Sequence, residues 1–155
     1  WNLGSVVFTP GAANVVPAEA RLSVEFRDTD PAILDRFEAI VLATVERYDG
    51  RLRVRCTATR TLAVPPAVMD ARLGEVIREA AARHAVAAMS LPSGAGHDAM
   101  ILAAHVPTAM LFVPSRGGRS HDVAEDTAEA DIVLCANVLM AAVERLLSRD
   151  PKREG

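Results

Sequence analysis

Glycine and polar residues are densest at residues 93–99 (SGAGHDA), which the flanking pattern places between a strand and a helix. A turn of this kind presents backbone N–H groups that can hold an anionic group or a carbonyl oxygen. The spacing of Gly94, Gly96 and Ala99 also matches a dinucleotide-binding fingerprint. That match is poor, because Asp98 would repel a pyrophosphate and because Pro-Ser-Arg at 114–116 stands where an acidic ribose-binding residue belongs. A tight turn with a satisfied polar pair is the plain structural alternative.

A second polar segment, residues 114–122 (PSRGGRSHD), follows a short apolar run and precedes Glu125. Open α/β sheets place ligands in loops at the carboxyl ends of strands, and neutral imidazole is the commonest metal ligand. His121 is therefore a candidate ligand. One histidine is not a metal site, so a hydrogen-bonding loop residue remains the alternative.

The elements before residue 61 predict a small antiparallel sheet with a helix on one face. Residues 3–8 are β-prone, and residues 20–27 alternate as a half-buried strand. Asp30 and Pro31 form an N-cap and first helical turn for a helix that ends near Gly50. Residues 51–60 alternate again, so the order is β-β-α-β.

The pattern changes after Pro65 and Pro66, where we place a domain boundary. The remainder predicts a helix capped by Asp70, a strand over 86–91, a short helix over 97–105, a strand over 108–113 and a helix over 128–147. This α-β-α-β-α order is typical of a parallel sheet with helices on its faces, and the whole chain is predicted to be α/β. Two strands are too few to make such a sheet alone. Residues 149–155 form a charged tail.

Composition indicates a globular protein. The chain has 155 residues, is 50% hydrophobic and carries a net charge of −3, which argues against nucleic-acid or polybasic membrane binding. Cys56 and Cys135 are predicted to be buried small hydrophobes. No membrane span or signal peptide is apparent, so the expected compartment is the cytoplasm and the expected partner is a small molecule or a protein.

Five segments, taken in order, resemble the M20-type metal-dependent amidohydrolases. The nearest branch is that of the N-carbamoyl-L-amino-acid hydrolases, ureidopropionases and allantoate amidohydrolases. The segments are residues 10–17 (PGAANVVP), 25–27 (EFR), 93–99 (SGAGHDA), 112–115 (FVPS), and Ser120-His121 with Glu125. No single motif carries the resemblance, which extends over nearly the whole chain.

The resemblance implies a metallopeptidase-like catalytic domain interrupted by a lid domain that also forms the dimer contact. Residues 1–64 would be part of the lid, and residues 65–148 would be the C-terminal part of the catalytic domain. The matching positions imply that Asn14 and Arg27 bind the substrate, with Arg27 holding the carboxylate of the substrate. They also imply that Gly96 and His97 line the pocket. His121 would be the final histidine ligand of a centre of two zinc or manganese ions. Asp98 and Glu125 would orient the site residues without themselves contacting the metal or the substrate.

The sequence also departs from the family pattern. Ala18 and Glu25 replace the usual glycine and aspartate, and no proline stands at 122–124. The family's other metal ligands, its glutamate base and its lid histidine would lie upstream, and none is present here. The chain is therefore expected to be a C-terminal piece of a homodimeric enzyme that cleaves a linear amide bearing a carboxylate, such as an N-carbamoyl-L-amino acid or allantoate. It would supply at most one metal ligand, contain no catalytic residue and be inactive alone; a non-catalytic dimerisation or binding module is the alternative.

Overall fold

The computed structural model describes residues 1–148, so the predicted tail at 149–155 lies outside the described residues. The chain divides into two compact units, Trp1–Pro66 and Ala67–Gly155.

The first unit begins with an antiparallel hairpin of β1 (Asn2–Thr9) and β2 (Glu19–Glu25). Its register pairs Val6 with Leu22, and an irregularity falls between Leu3 and Ser5. The alternating pattern correctly predicted a strand, but the prediction that one face is half-buried is wrong, because Leu22 is 57% exposed. Among the described residues of this unit, no element packs broadly over the sheet. Apolar side chains therefore face solvent on both sides of the hairpin.

The first helix, α1, spans Pro31–Tyr48 and confirms the prediction from its capping residues. The Asp30 carboxylate accepts a hydrogen bond from the Ala32 N–H at 2.9 Å, which satisfies one of the unpaired donors at the helix start. Phe37 lies on the half-buried stripe of the helix, and its ring centroid is 5.5 Å from that of Phe26, just after β2. This ring pair joins the helix to the end of the hairpin.

The predicted strand over residues 51–60 is wrong. Residues Arg51–Arg53 form a 3-10 turn in which Leu52 and Arg53 have φ values of 50° and 62°. These left-handed conformations are incompatible with an extended strand. Farther along, the segment is attached to α1 by side chains: Arg60 Nε donates to Glu38 at 2.8 Å, and the Cys56 N–H donates to Asp49 at 2.8 Å.

The second unit contains α2 (Ala71–Arg83), the five-residue α3 (Asp98–Leu102) and α4 (Glu129–Ser148). Its core forms where α2 packs on α4 and consists of small side chains: Val76, Ala80, Ala81, Val138 and Ala142. Arg145 of α4 forms an ion pair with Glu79 of α2 at the edge of this contact. Across residues 1–148, no helix is both long enough and apolar enough to cross a bilayer.

Neither strand predicted for the second unit pairs with another strand within the described residues. Residues 86–91 and 108–113 run without a ladder, so the predicted α-β-α-β-α order is observed only as its three helices. A strand needs a hydrogen-bonded neighbour, whereas a helix satisfies its own backbone groups. Residues 108–113 are still anchored: Leu111 packs on the core, and the Asp70 N–H donates to the Thr108 carbonyl at 2.8 Å.

The two cysteines are free thiols and are half-buried, so the prediction that both are buried is wrong. Few buried residues surround either cysteine: the first unit contributes no residue to the buried core, and among the described residues of the second unit the core has five. Packing in both units is therefore too shallow to enclose a small side chain fully at these positions.

The start of α2 provides a measurable test of this local structure. The Asp70 carboxylate accepts from the Leu73 N–H at 2.8 Å, so we expect Asp70→Ala to lower the free energy of unfolding by about 1 kcal/mol. Urea unfolding followed by circular dichroism measures this change. Asp70→Asn, which keeps a capping oxygen, should retain most of the stability, and equal losses in both variants would contradict a capping role.

Candidate functional site

In the loop before α3, Ser93 and His97 form a hydrogen-bonded pair. The Ser93 hydroxyl oxygen lies 2.8 Å from His97 Nε2 and also accepts the Ala95 N–H at 3.3 Å. The Phe112 ring packs against the imidazole, with centroids 5.5 Å apart and planes inclined by 56°. The half-buried imidazole is thus held by a hydrogen bond at one ring nitrogen and by a tilted ring contact.

Gly94 and Gly96 are not required by the backbone conformation of this loop. Neither has a positive φ, and a Cβ built on either would meet no atom within 4 Å among the described residues other than its chain neighbours. Space is therefore open beside the Ser93–His97 pair. Such space allows a ligand or another segment of polypeptide to approach the backbone closely.

Asp98 follows His97 as the first residue of α3. Its side chain is exposed, and no hydrogen bond or ion pair to it is found in the part of the chain that the structure describes. The role expected for Asp98, which is to orient the residues that contact the metal or the substrate, stays a prediction.

The loop around His121 is closed on itself by opposite charges and backbone bonds. At its base, the Arg116 N–H donates to the Asp126 carbonyl at 2.8 Å, and the two side chains form an ion pair at 2.7 Å. Inside this closure the Ser115 hydroxyl donates to the Arg119 carbonyl at 2.6 Å. The loop also contains a 3-10 turn at Arg116–Gly118, so it has a defined shape.

His121 lies at the tip of this loop in a left-handed backbone conformation with φ of 57°. A non-glycine residue adopts this conformation only where its surroundings hold it there. Here the Glu125 carboxylate accepts the His121 N–H at 2.8 Å, and the Glu125 N–H donates to the Asp122 carbonyl at 2.9 Å. Glu125 thus positions the backbone of His121, and no hydrogen bond from Glu125 to the ring is found within residues 1–148.

The His121 imidazole fits a role as one metal ligand, but the described residues do not complete a metal site. The side chain is exposed, and no hydrogen bond to the ring is found within residues 1–148. Over the same residues, no group of three His, Cys, Asp or Glu side chains is placed to hold a metal ion. Each nearby carboxylate accepts one backbone N–H, Asp122 from Ala124 and Glu125 from His121.

In the first unit, Asn14 lies in the turn that joins the two strands. The turn is closed by a bond from the Ala18 N–H to the Thr9 carbonyl at 2.8 Å. Gly11 is required here, because its φ is 70° and a Cβ would lie 3.1 Å from the Phe8 carbonyl oxygen. The exposed Asn14 side chain is thereby presented at the tip of the hairpin.

Arg27 lies two residues beyond β2 and is paired with Glu25. Its Nε and Nη2 both lie 2.7 Å from Glu25 Oε1, and both side chains are 55% exposed. A pair so exposed contributes little to stability, about 0–1 kcal/mol. The guanidinium therefore stays accessible to a competing carboxylate.

The structure thus leaves the predicted residues in four places: Asn14 in the hairpin turn, Arg27 beyond the opposite end of β2, the 93–98 loop, and the loop around His121. A groove of about 450 Å³ in the second unit, lined by residues 68–70 and 103–108, includes none of them. Sequence reasoning missed Phe112 and Ser93 as partners of His97 and missed the Arg116–Asp126 closure. The four-residue spacing of Ser93 and His97 was the available signal; ring packing and loop closure leave no such local pattern.

Comparisons with known proteins identify the class to which these segments belong. The family model for Peptidase family M20/M25/M40 matches residues 2–145, so the chain belongs to this family. The expected resemblance to M20-type proteins is confirmed. The chain is 36% identical over 142 residues to an N-carbamoyl-L-amino-acid amidohydrolase of Rhizobium meliloti, covering 92% of this chain and 34% of that protein. It is 29% identical over 143 residues to an allantoate amidohydrolase of Bacillus subtilis, covering 92% of this chain and 35% of that protein.

Solved structures agree with this assignment. An amidase of the hydantoinase/carbamoylase family from Burkholderia phymatum superposes with a TM-score of 0.81 at 38% identity, over 94% of this chain and 35% of that chain. The chain therefore spans about a third of the length of the proteins that it matches.

Proposed function

We propose that this chain is the C-terminal part of an amidohydrolase that cleaves a linear amide, an N-carbamoyl-L-amino acid or a ureido compound such as allantoate. The observation that carries the proposal is the family match over residues 2–145 together with relatives that are named for these reactions. Hydrolysis of an N-carbamoyl group adds water to the carbonyl carbon and breaks a C–N bond. Ammonia leaves, and the remaining carbamate decomposes in some members to carbon dioxide and the amine.

In this proposal the first unit is part of a lid that also carries the homodimer contact, and the second is the end of the catalytic domain. Exposed apolar side chains on the hairpin support an association surface: Val6, Val7, Phe8, Leu22 and Val24 are all 42–57% exposed. The unpaired segments 86–91 and 108–113 are accounted for if their neighbouring strands belong to the rest of the enzyme. We keep the cytoplasm as the expected compartment.

The residues of this chain bind and orient the substrate. Arg27 exchanges Glu25 for the substrate carboxylate. Asn14, in the turn at the other end of the hairpin, is a separate polar contact in this proposal. His97 donates to a substrate oxygen next to the open backbone of Gly96. A pair of zinc or manganese ions, when bound, would polarise the carbonyl group and activate water, and His121 would be the single ligand from this chain. The base that moves the proton lies outside it.

The proposal is tested by comparing the isolated chain with a chimera in which it replaces the matching third of the Rhizobium meliloti amidohydrolase. We expect the isolated chain to bind zinc more weakly than micromolar in calorimetry and to release no ammonia from an N-carbamoyl-L-amino acid, because one imidazole is not a two-metal site. The chimera should turn over that substrate.

Two outcomes would contradict the proposal. Stoichiometric zinc binding at micromolar affinity with turnover by the chain alone would show that it contains a complete site. A folded, metal-loaded chimera without turnover would favour the non-catalytic dimerisation or binding module. The parent enzyme with its own C-terminal third serves as the control for assay and metal loading.

A further inference from the structure

We propose that Ser93 is a positioning residue that fixes the tautomer of His97, keeping the proton on Nδ1 so that this nitrogen donates to an oxygen of the ligand. The role of His97 as a ligand contact rests on the proposed function. The tautomer itself rests on the hydrogen bonds around Ser93.

The Ser93–His97 bond can be made in two ways. Either the hydroxyl donates to a bare Nε2, or an Nε2–H donates to the hydroxyl oxygen. A hydroxyl carries one proton and two acceptor lone pairs, and a neutral imidazole carries one donor and one acceptor. The two arrangements therefore leave different groups without a partner.

The Ala95 N–H distinguishes the two arrangements. It already donates to the Ser93 oxygen at 3.3 Å. If the hydroxyl donates to Nε2, then Ser93 gives one bond and accepts one, and only the Nδ1–H of His97 lacks a partner within residues 1–148. If Nε2–H donates instead, the oxygen accepts twice, and both the hydroxyl proton and the Nδ1 lone pair lack partners there. Both side chains are half-buried, so the arrangement with fewer unpaired polar groups is favoured.

The surroundings of the ring keep this donor in place. The Phe112 and imidazole rings are in tilted contact with centroids 5.5 Å apart, and the Ser93 bond holds the Nε2 edge, so ring rotation would cost both contacts. Beside the ring, no described atom other than those of their chain neighbours lies within 4 Å of the Cβ positions of Gly94 and Gly96. The remaining N–H suits an acceptor-only ligand group, a carboxylate or carbonyl oxygen.

The test is nitrogen NMR of the 155-residue chain labelled with ¹⁵N-histidine and recorded at about pH 8.5, where imidazole is neutral. The protonated and bare ring nitrogens resonate far apart, and the missing signals in His97→Gln assign the ring among the four histidines. We expect the His97 proton on Nδ1. In Ser93→Ala the Nε2–H form should become the major one, and Ser93→Thr, which keeps the hydroxyl, should restore the Nδ1–H form.

Ser90→Ala is the matched control, since Ser90 is an exposed hydroxyl in the same loop, and it should leave the tautomer unchanged. A wild-type His97 with its proton on Nε2 would overturn the inference, as would a folded Ser93→Ala chain with the wild-type tautomer. If Ser93→Ala does not fold, the wild-type and Ser93→Thr spectra still decide. None of these readouts depends on hydrolysis, so a failure here is separate from a failure of the chimera to turn over substrate.

Discussion

Replacing His121 by alanine in the active chimera is expected to remove one of the two metal ions per subunit and to abolish turnover. The ring is exposed and has no hydrogen bond within the described residues, whereas the backbone of His121 is held by Glu125 at 2.8 Å. Loss of the imidazole therefore removes a donor from the proposed centre while the loop keeps its Arg116–Asp126 closure. Elemental analysis measures the metal content, and ammonia release measures the turnover.

The backbone of His121 calls for a second variant. Histidine and alanine both have a Cβ, so each carries strain of about 1–2 kcal/mol at a φ of 57°, and glycine relieves it. His121→Gly should thus lose metal and turnover as His121→Ala does, although its backbone is relieved of strain. His105→Ala, an exposed histidine near the end of α3, is the control and should keep both ions. A His121 variant that still holds two ions and still turns over would contradict the ligand role.

Local signals in the sequence were sufficient to predict the helices. Asp30 with Pro31 and Asp70 mark the starts of α1 and α2, and both carboxylates cap the helices as expected. A capped helix satisfies its backbone within a few residues of chain, so a short pattern carries the whole prediction.

The strand predictions after β2 were wrong for the opposite reason, because a strand depends on a distant neighbour. Apolar alternation over residues 51–60 and the apolar run at 108–113 indicate which side chains prefer burial, but not which strand lies beside them. Within residues 1–148 no neighbour pairs with either segment. At 51–53 the left-handed turn after Gly50 overrides the alternation altogether.

The candidate site divides in the same way. The Ser93–His97 pair is local and was within reach of sequence reasoning, since four residues separate the two side chains. The closure of the His121 loop joins Arg116 to Asp126 and depends on the path of the chain between them. The roles of Asn14 and Arg27 came from the family resemblance, and they stay predictions because a substrate contact leaves no mark on a hairpin without substrate.

The second large expected effect is that of replacing Arg27 on substrate binding. In the chimera, Arg27→Ala should raise KM for an N-carbamoyl-L-amino acid by about 30-fold to several thousand-fold, with a much smaller change in kcat. Once the substrate is bound, Arg27 and the substrate carboxylate would form a buried charged pair. Truncating one partner of such a pair costs about 2–5 kcal/mol, which corresponds to this range. The effect falls on KM because the clamp holds substrate and transition state alike. Arg27→Lys keeps the charge without the two-pronged geometry, so it should recover only part of the loss.

A matched arginine separates substrate binding from a surface role. Arg21 lies on β2 and pairs with Glu19 at 3.1 Å, at the same two-residue spacing as Arg27 and Glu25. Both pairs are exposed, so each of these ion pairs contributes about 0–1 kcal/mol to stability. Only Arg27→Ala should raise KM. If KM stays at its parent value in Arg27→Ala while its melting temperature falls below that of Arg21→Ala, then Arg27 is a structural partner of Glu25 and not the carboxylate clamp.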